Sequence, residues 1–131
     1  MIWLPTIEQV LRIHDRLIER TGGSSGLRDV GLVESAIIRA SAGYDDVVLY
    51  PSTPQKAAAV GLGLICNHGF VDGNKRVGVV VMLLILTKNG IDLSYTQQEL
   101  VDLGLNAAQG KLAVADVADW IERHAVPSDR N

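Results

Sequence analysis

Cysteine occurs once in 131 residues, as Cys66, so no internal disulfide is available and the chain suits a reducing cytosol. With apolar neighbours on its N-terminal side, Cys66 reads as a small buried hydrophobe rather than a reactive thiol. Aromatic side chains are scarce, at 5% against 47% hydrophobic residues overall, so the core has to be aliphatic. Basic residues are not in excess: 12 Lys and Arg face 15 Asp and Glu, a net charge of −3, which leaves no footprint for direct binding of DNA or RNA. Long apolar runs are missing as well. The most tempting one, residues 77–86, falls well short of the ~20 residues needed to cross a bilayer and reads as a buried helix. No secretory leader is expected, because Met1–Leu4 is followed at once by Pro5 and a polar, periodic segment, and the expected location is cytoplasmic.

What is present is a series of helix signals. Thr6 with Gln9 three residues on is a capping box, and Ile7, Val10, Leu11, Leu17 and Ile18 recur at helical spacing until Gly22-Gly23. A second helix is predicted from about Val30 to Ala40, with Val33, Ala36, Ile37 and Ala40 inward. Residues 43–52 read as an extended loop, since Tyr44–Tyr50 is rich in β-formers and Pro51 stops a helix. Thr53-Pro54 reads as an N-cap followed by the first helical residue, opening a helix through Ala57 to Asn67. The run 77–86 is apolar all round and predicts a helix enclosed by others, although its β-branched start fits a strand equally well by periodicity. Thr96 with Glu99 opens a helix to about Ala108, and residues 113–124 form the last one. Residues 1–126 are read as one domain with no repeat or linker, and 127–131 as a loose tail.

Chemistry concentrates between the two apolar helices, at His68-Gly69-Phe70-Val71-Asp72-Gly73-Asn74-Lys75-Arg76. Polar groups placed between segments that bury themselves must be satisfied by each other or by a ligand. Asp72-Gly73-Asn74 is a strong turn signal, and a helix starting near Asn74 points its unpaired first amides back into that turn. Such a terminus attracts phosphate, and Lys75 and Arg76 add positive charge there, the guanidinium with a bidentate grip. An imidazole at His68 is placed to take a proton from an attacking hydroxyl, and Asp72 suits Mg²⁺ carried in by a nucleotide.

This segment resembles the signature of the Fic/Doc superfamily, His-Pro-Phe-x-(Asp/Glu)-Gly-Asn-Gly-Arg-x-x-Arg, matching at His68, Phe70, Asp72, Gly73, Asn74 and Arg76. Gly69 replaces the Pro, Lys75 the second Gly, and Val79 the last Arg, a pattern that looks like the death-on-curing (Doc) branch, although Doc proteins often have Ala where this chain keeps Gly73. Ile13-His14-Asp15, Thr21-Gly22-Gly23, Gly26-Leu27-Arg28-Asp29, Leu49-Tyr50-Pro51 and Asn89-Gly90 look like further landmarks of that branch. The resemblance implies an all-α, single-domain bundle around a buried central helix, with a short flap loop or hairpin over 43–52 that lines up the target segment. It implies ATP and Mg²⁺, with His68 catalytic, Asp72 on the metal, and Gly73, Asn74, Lys75 and Arg76 holding the nucleotide. A side chain at the second Gly intrudes on the phosphate path of adenylyl-transferring relatives. Lys75 therefore points to the inverted ATP of Doc kinases, which presents the γ-phosphate to a hydroxyl of translation elongation factor Tu and so stops protein synthesis.

The alternatives are an adenylyltransferase, which Gly73 permits, and a non-catalytic corepressor that only binds an antitoxin. Self-inhibited Fic proteins carry (Ser/Thr)-x-x-x-Glu-(Gly/Asn); none of Glu8, Glu19, Glu34, Glu99 and Glu122 has Ser or Thr four residues earlier. Restraint is therefore expected from another chain, a Phd-like antitoxin whose C-terminal segment folds as an amphipathic helix on a groove and which supplies any DNA contact. His14 on the apolar face of the first helix and His124 at the end of the last are read as structural, Phe70 as an anchor for the loop. Two of the site residues have blander roles open to them, Asp72 as a helix cap and Arg76 as a surface residue with snorkelling methylenes.

Overall fold

Capping chemistry sets where the helices begin. A computed structural model describes residues 2–127, so the tail proposed for 127–131 lies almost wholly outside the described residues. Helix α1 spans Ile7–Thr21 behind the Thr6–Gln9 capping box, ends at Gly22 with φ 83°, and buries Val10, His14 and Ile18. Asp29 caps α2, Val30–Ile38, by accepting from the Gly31 amide, and a 3₁₀ turn, Arg39–Ser41, tightens the end that the sequence pattern carries to Ala40 as α-helix. Residues 43–48 form a hairpin rather than a plain loop: β1 (Gly43–Tyr44) pairs antiparallel with β2 (Val47–Val48).

Helix α3 is Thr53–Asn67, and its cap is Ser52, not Thr53. Ser52 has the extended backbone a cap needs, accepts from the Gln55 amide at 3.2 Å and donates its own amide to the Gln55 carboxamide at 2.9 Å. Thr53 and Pro54 therefore lie in the first turn, where the missing proline N–H costs nothing. Helix α4 is Asn74–Lys88, α5 is Gln97–Ala108 and α6 is Val114–His124. A two-residue ladder between β3 (Asp92–Leu93) and β4 (Ala125–Val126) ties the chain beyond α6 to the segment after α4.

The apolar run 77–86 predicts that α4 is the enclosed helix, but α3 holds that place. Every residue from Ala57 to Ile65 is buried, whereas Val79, Val80, Leu83 and Leu84 of α4 keep partial exposure. The reason is girth: Ala57, Ala58, Ala59, Gly61 and Gly63 make α3 thin enough to sit among α2, α4 and α6. Helices α3 and α4 lie close together at Gly61 and Gly78. A Cβ on Gly78 would lie 2.5 Å from Ile65 Cγ1 and 2.7 Å from the Gly61 carbonyl oxygen. Cys66 corrects a second expectation: it falls one step past the buried stretch, is exposed, and its Sγ donates to the Ala107 carbonyl at 3.6 Å. The architecture is a single all-α bundle in which the α3–α4 connection opens at one end.

Candidate active site

The connection between α3 and α4 begins and ends with left-handed backbone. His68, the C-cap of α3, has φ 54°, and Gly73, the N-cap of α4, has φ 79°. Between them the loop is clamped from two sides. The Asn74 side chain brackets Phe70, accepting from its N–H at 3.1 Å and donating to its carbonyl at 3.0 Å. From the other side, the amides of Arg28 and Asp29 both donate to the Gly69 carbonyl, at 2.8 and 2.9 Å, and Val71 N–H donates to the Gly26 carbonyl at 2.9 Å. The Arg28 guanidinium reaches the His68 carbonyl at 3.0 Å. Glycine at position 69 follows from packing: a Cβ there would sit 2.5 Å from Val33 Cγ2.

Each residue singled out from the sequence can be placed. His68 is exposed, and among the described residues its ring has no hydrogen-bond partner, leaving both nitrogens available to a substrate. Asp72 does not cap α4. Its Oδ1 accepts from the Gly73 amide at 2.8 Å, its Oδ2 from the Ser24 amide at 3.3 Å, and Oδ1 lies 3.6 Å from the Arg76 guanidinium. Gly73 as N-cap supplies no side-chain bond, and the first helical bond back to it comes from Val77 N–H at 2.9 Å. The amides of Asn74, Lys75 and Arg76 thus start the helix without intrahelical partners, the arrangement that favours an anion. The Asn74 side chain shapes the loop, so only its backbone is left for a ligand. Lys75 is exposed beside the turn. Arg76 is turned toward the end of α1, donating to Thr21 Oγ1 and to the Gly22 carbonyl at 2.9 Å.

Together His68, Asp72, Gly73, Asn74, Lys75 and Arg76 line a cleft of about 450 Å³, closed at its sides by Ile65, Val71 and Ala108. A larger cleft of about 500 Å³ between α5 and α6 contains the Arg123–Asp119 and His124–Glu99 pairs but none of these residues. Sequence reasoning missed three supports of the site: Ser24, whose amide holds Asp72; Arg28, which holds the His68 carbonyl; and Thr21-Gly22, which receive Arg76. Their visible signals were the landmark stretches Thr21-Gly22-Gly23 and Gly26-Leu27-Arg28-Asp29, with the glycines at 22, 23 and 26. A Cβ on Gly23 would fall 2.4 Å from Asp72 Oδ2, and one on Gly26 2.8 Å from Val71 Cγ2, so both glycines let this strand of chain lie against the loop.

The donor set bears on the expected ligands. Among the described residues no group of three or more His, Cys, Asp and Glu is arranged to hold a metal. Asp72 alone offers a carboxylate, which fits Mg²⁺ arriving with phosphate oxygens and retaining water better than a resident ion. No helix among the described residues is long and apolar enough to cross a membrane.

Comparison with known proteins identifies the family. Residues 4–86 match the model of the Fic/DOC family, a stretch that contains the whole connection between α3 and α4. The chain is 34% identical over 119 residues to "Protein kinase doc" of Escherichia phage P1, covering 88% of this chain and 90% of that one. It is 40% identical over 73 residues to "Toxin Doc" of Mycolicibacterium smegmatis (strain ATCC 700084 / mc(2)155), covering 56% of each.

Proposed function

This chain belongs to the Fic/DOC family, and from that premise we propose that it is a Doc-type toxin that moves the γ-phosphate of ATP onto a hydroxyl of a target protein. The observation that carries this reading is the pairing of a His68 ring that is unbonded among the described residues with the unpaired amides at the start of α4, across one short cleft. The amides of residues 74–76 and the Lys75 ammonium would hold phosphate oxygens, and Arg76 would add a guanidinium after leaving Thr21 and Gly22. Asp72, fixed by the Gly73 and Ser24 amides, is the residue for Mg²⁺, which when bound neutralises charge on the phosphates. His68 takes the proton of the target hydroxyl as its oxygen bonds to the γ-phosphorus, and the bond to the β–γ bridging oxygen breaks to release ADP.

By the resemblance, Lys75 favours phosphoryl over adenylyl transfer, because adenylyl-transferring relatives carry Gly at this position of the motif. The hairpin β1–β2 presents Tyr44, Val47 and Val48 exposed, an edge suited to aligning an extended target segment. By the resemblance, that target is elongation factor Tu. The partner that restrains the chain is a Phd-like antitoxin. The apolar groove of about 300 Å³ formed by Leu17, Val79, Val80, Leu100, Val101 and neighbours suits an amphipathic helix and ends at Lys75 and Arg76.

The decisive test incubates the protein, Mg²⁺ and purified elongation factor Tu with ATP labelled at either the α- or the γ-phosphorus. Label transferred only from the γ-position, and lost in His68→Asn, is the expected result; Asn tolerates the left-handed backbone of position 68. Transfer from the α-position would replace this reading with adenylylation. Growth arrest undiminished by His68→Asn would leave a binding role.

A further inference from the structure

We propose that His14 is a positioning residue that locks the orientation of a single peptide plane and, through it, the Asp72 carboxylate; its catalytic consequence rests on the reading above. His14 lies on α1, 58 residues from the loop, and is 1% exposed. Its Nε2 is 2.7 Å from the Asp72 carbonyl oxygen, which can only accept, so Nε2 must carry the proton. Among the described residues Nδ1 is buried with no partner, so the ring is held by Nε2 alone. The ring also stacks on Phe70, with centroids 3.8 Å apart and planes 10° from parallel.

The Asp72 carbonyl belongs to the planar unit that carries the Gly73 N–H at its other end. Fixing that oxygen therefore fixes the direction of the N–H, and the N–H is what holds Asp72 Oδ1 at 2.8 Å. Without His14 the unit is free to flip, since Gly73 is the residue type that tolerates the φ/ψ change a flip requires. A flip turns the N–H away from the carboxylate and disorients the very first turn of α4. Position 73 is guarded from the same side: a Cβ there would lie 3.3 Å from His14 Nε2. Burial alone would be served by any flat side chain; the donated hydrogen bond would not.

Three variants separate these roles. His14→Gln can place an N–H near the Nε2 position, His14→Asn is too short to do so, and His14→Phe keeps the stacked ring without a donor. Amide exchange at Gly73 should quicken in the Phe and Asn variants and stay slow in Gln. The KM for Mg·ATP should rise ~10–100-fold in Phe and Asn, the range seen when supports of metal-binding groups are removed, and stay within ~5-fold of the parent in Gln. Nitrogen NMR of the parent should show a proton on His14 Nε2, hydrogen-bonded to the Asp72 carbonyl. An Nε2 without a proton, or unchanged Gly73 exchange in His14→Phe, would overturn the proposal. If a variant fails to fold, the ring tautomer in the parent and the behaviour of His14→Gln still decide it. Should the parent transfer no phosphate, fast exchange at Gly73 in His14→Phe would uphold the lock while the kinase reading fell.

Discussion

Substituting Gly78 by Ala tests whether the α3–α4 seam sets the site, because α3 delivers His68 and α4 delivers the anion-binding amides. The added Cβ would approach Ile65 Cγ1 to 2.5 Å and the Gly61 carbonyl oxygen to 2.7 Å. Ile65 can turn; the Gly61 backbone, enclosed in the middle of α3, cannot. Overpacking of this kind costs ~1–3 kcal/mol, and the backbone contact places Gly78→Ala at the upper end. Alanine's better helix propensity returns ~0.5–1 kcal/mol, for a net loss of roughly 2 kcal/mol. For a domain of this size that lowers Tm by ~6–10 °C. Gly104→Ala in α5 is the matched control. Its Cβ would meet Val79 Cγ2 at 3.4 Å and Lys75 Cγ at 3.5 Å, ordinary contacts, so it should gain ~0.5–1 kcal/mol and raise Tm by a few degrees. Calorimetric melting of both proteins and the parent is the assay. The two variants should move in opposite directions, and Gly78→Ala should also lose transfer activity at temperatures where it is fully folded, since separating the helices displaces His68 from the amides. An unchanged or raised Tm for Gly78→Ala would show that the seam is not tight and that the reasoning fails.

Three further outcomes are expected. The Glu99 carboxyl is held down at about 2, first by its hydrogen bond to His124 and then by Thr96, while His124 is raised above its ordinary value, first by Glu99 and then by the Trp120 carbonyl. The carboxylate's contribution is present above about 4.5 and is lost as pH falls toward about 2, and the imidazolium's is present below about 6.5 and is lost as pH climbs through the raised value, so the Tm difference between parent and His124→Gln should peak between these limits in a pH series. Phe70→Ala should cost ~3–5 kcal/mol in urea unfolding, since a buried ring stacked on His14 is removed. Asn74→Asp removes the donor to the Phe70 carbonyl and puts negative charge in the anion site, so calorimetry should show ~1–3 kcal/mol lost in stability and no measurable ATP binding.

The helix starts were legible because capping is local. Thr6 and Thr96 act on residues three positions away, the left-handed turn at Gly73 lies directly before Asn74, and all three begin helices where the pattern places them. Misreadings came where two local signals competed or where the deciding contact was distant. Ser52 and Thr53 are both good caps, and Gln55 settles the matter only because it stands three residues after Ser52. Which of two apolar helices is enclosed depends on girth and on neighbours contributed by α2 and α6, so the greasier run lost the centre to the one richer in Ala and Gly. Cys66 shows the limit of neighbourhood arguments, since apolar neighbours along a helix lie on different faces.

The site divides along the same line. His68, Asp72, Gly73 and Lys75 are visible in the sequence because their spacing around one turn is itself the chemistry. The residues that hold them, His14, Ser24 and Arg28, lie 40–58 positions away from the groups they touch; His14 and Arg28 stand in stretches that resemble family landmarks, but nothing local says which loop atoms they meet. Arg76 shows what such distant partners add. As a residue in a motif it is a phosphate grip, yet in the fold it bonds Thr21 and Gly22 and faces Asp72, so the end of α1 competes with any incoming anion for the same guanidinium. On the proposed reading, binding of phosphate would exchange protein acceptors for ligand oxygens, and only the difference between those two sets of bonds would reach the affinity. On that reading, a cation held by acceptors it must leave adds to the cost of binding, so Arg76 reaches phosphate only where the ligand oxygens outcompete Thr21 and Gly22.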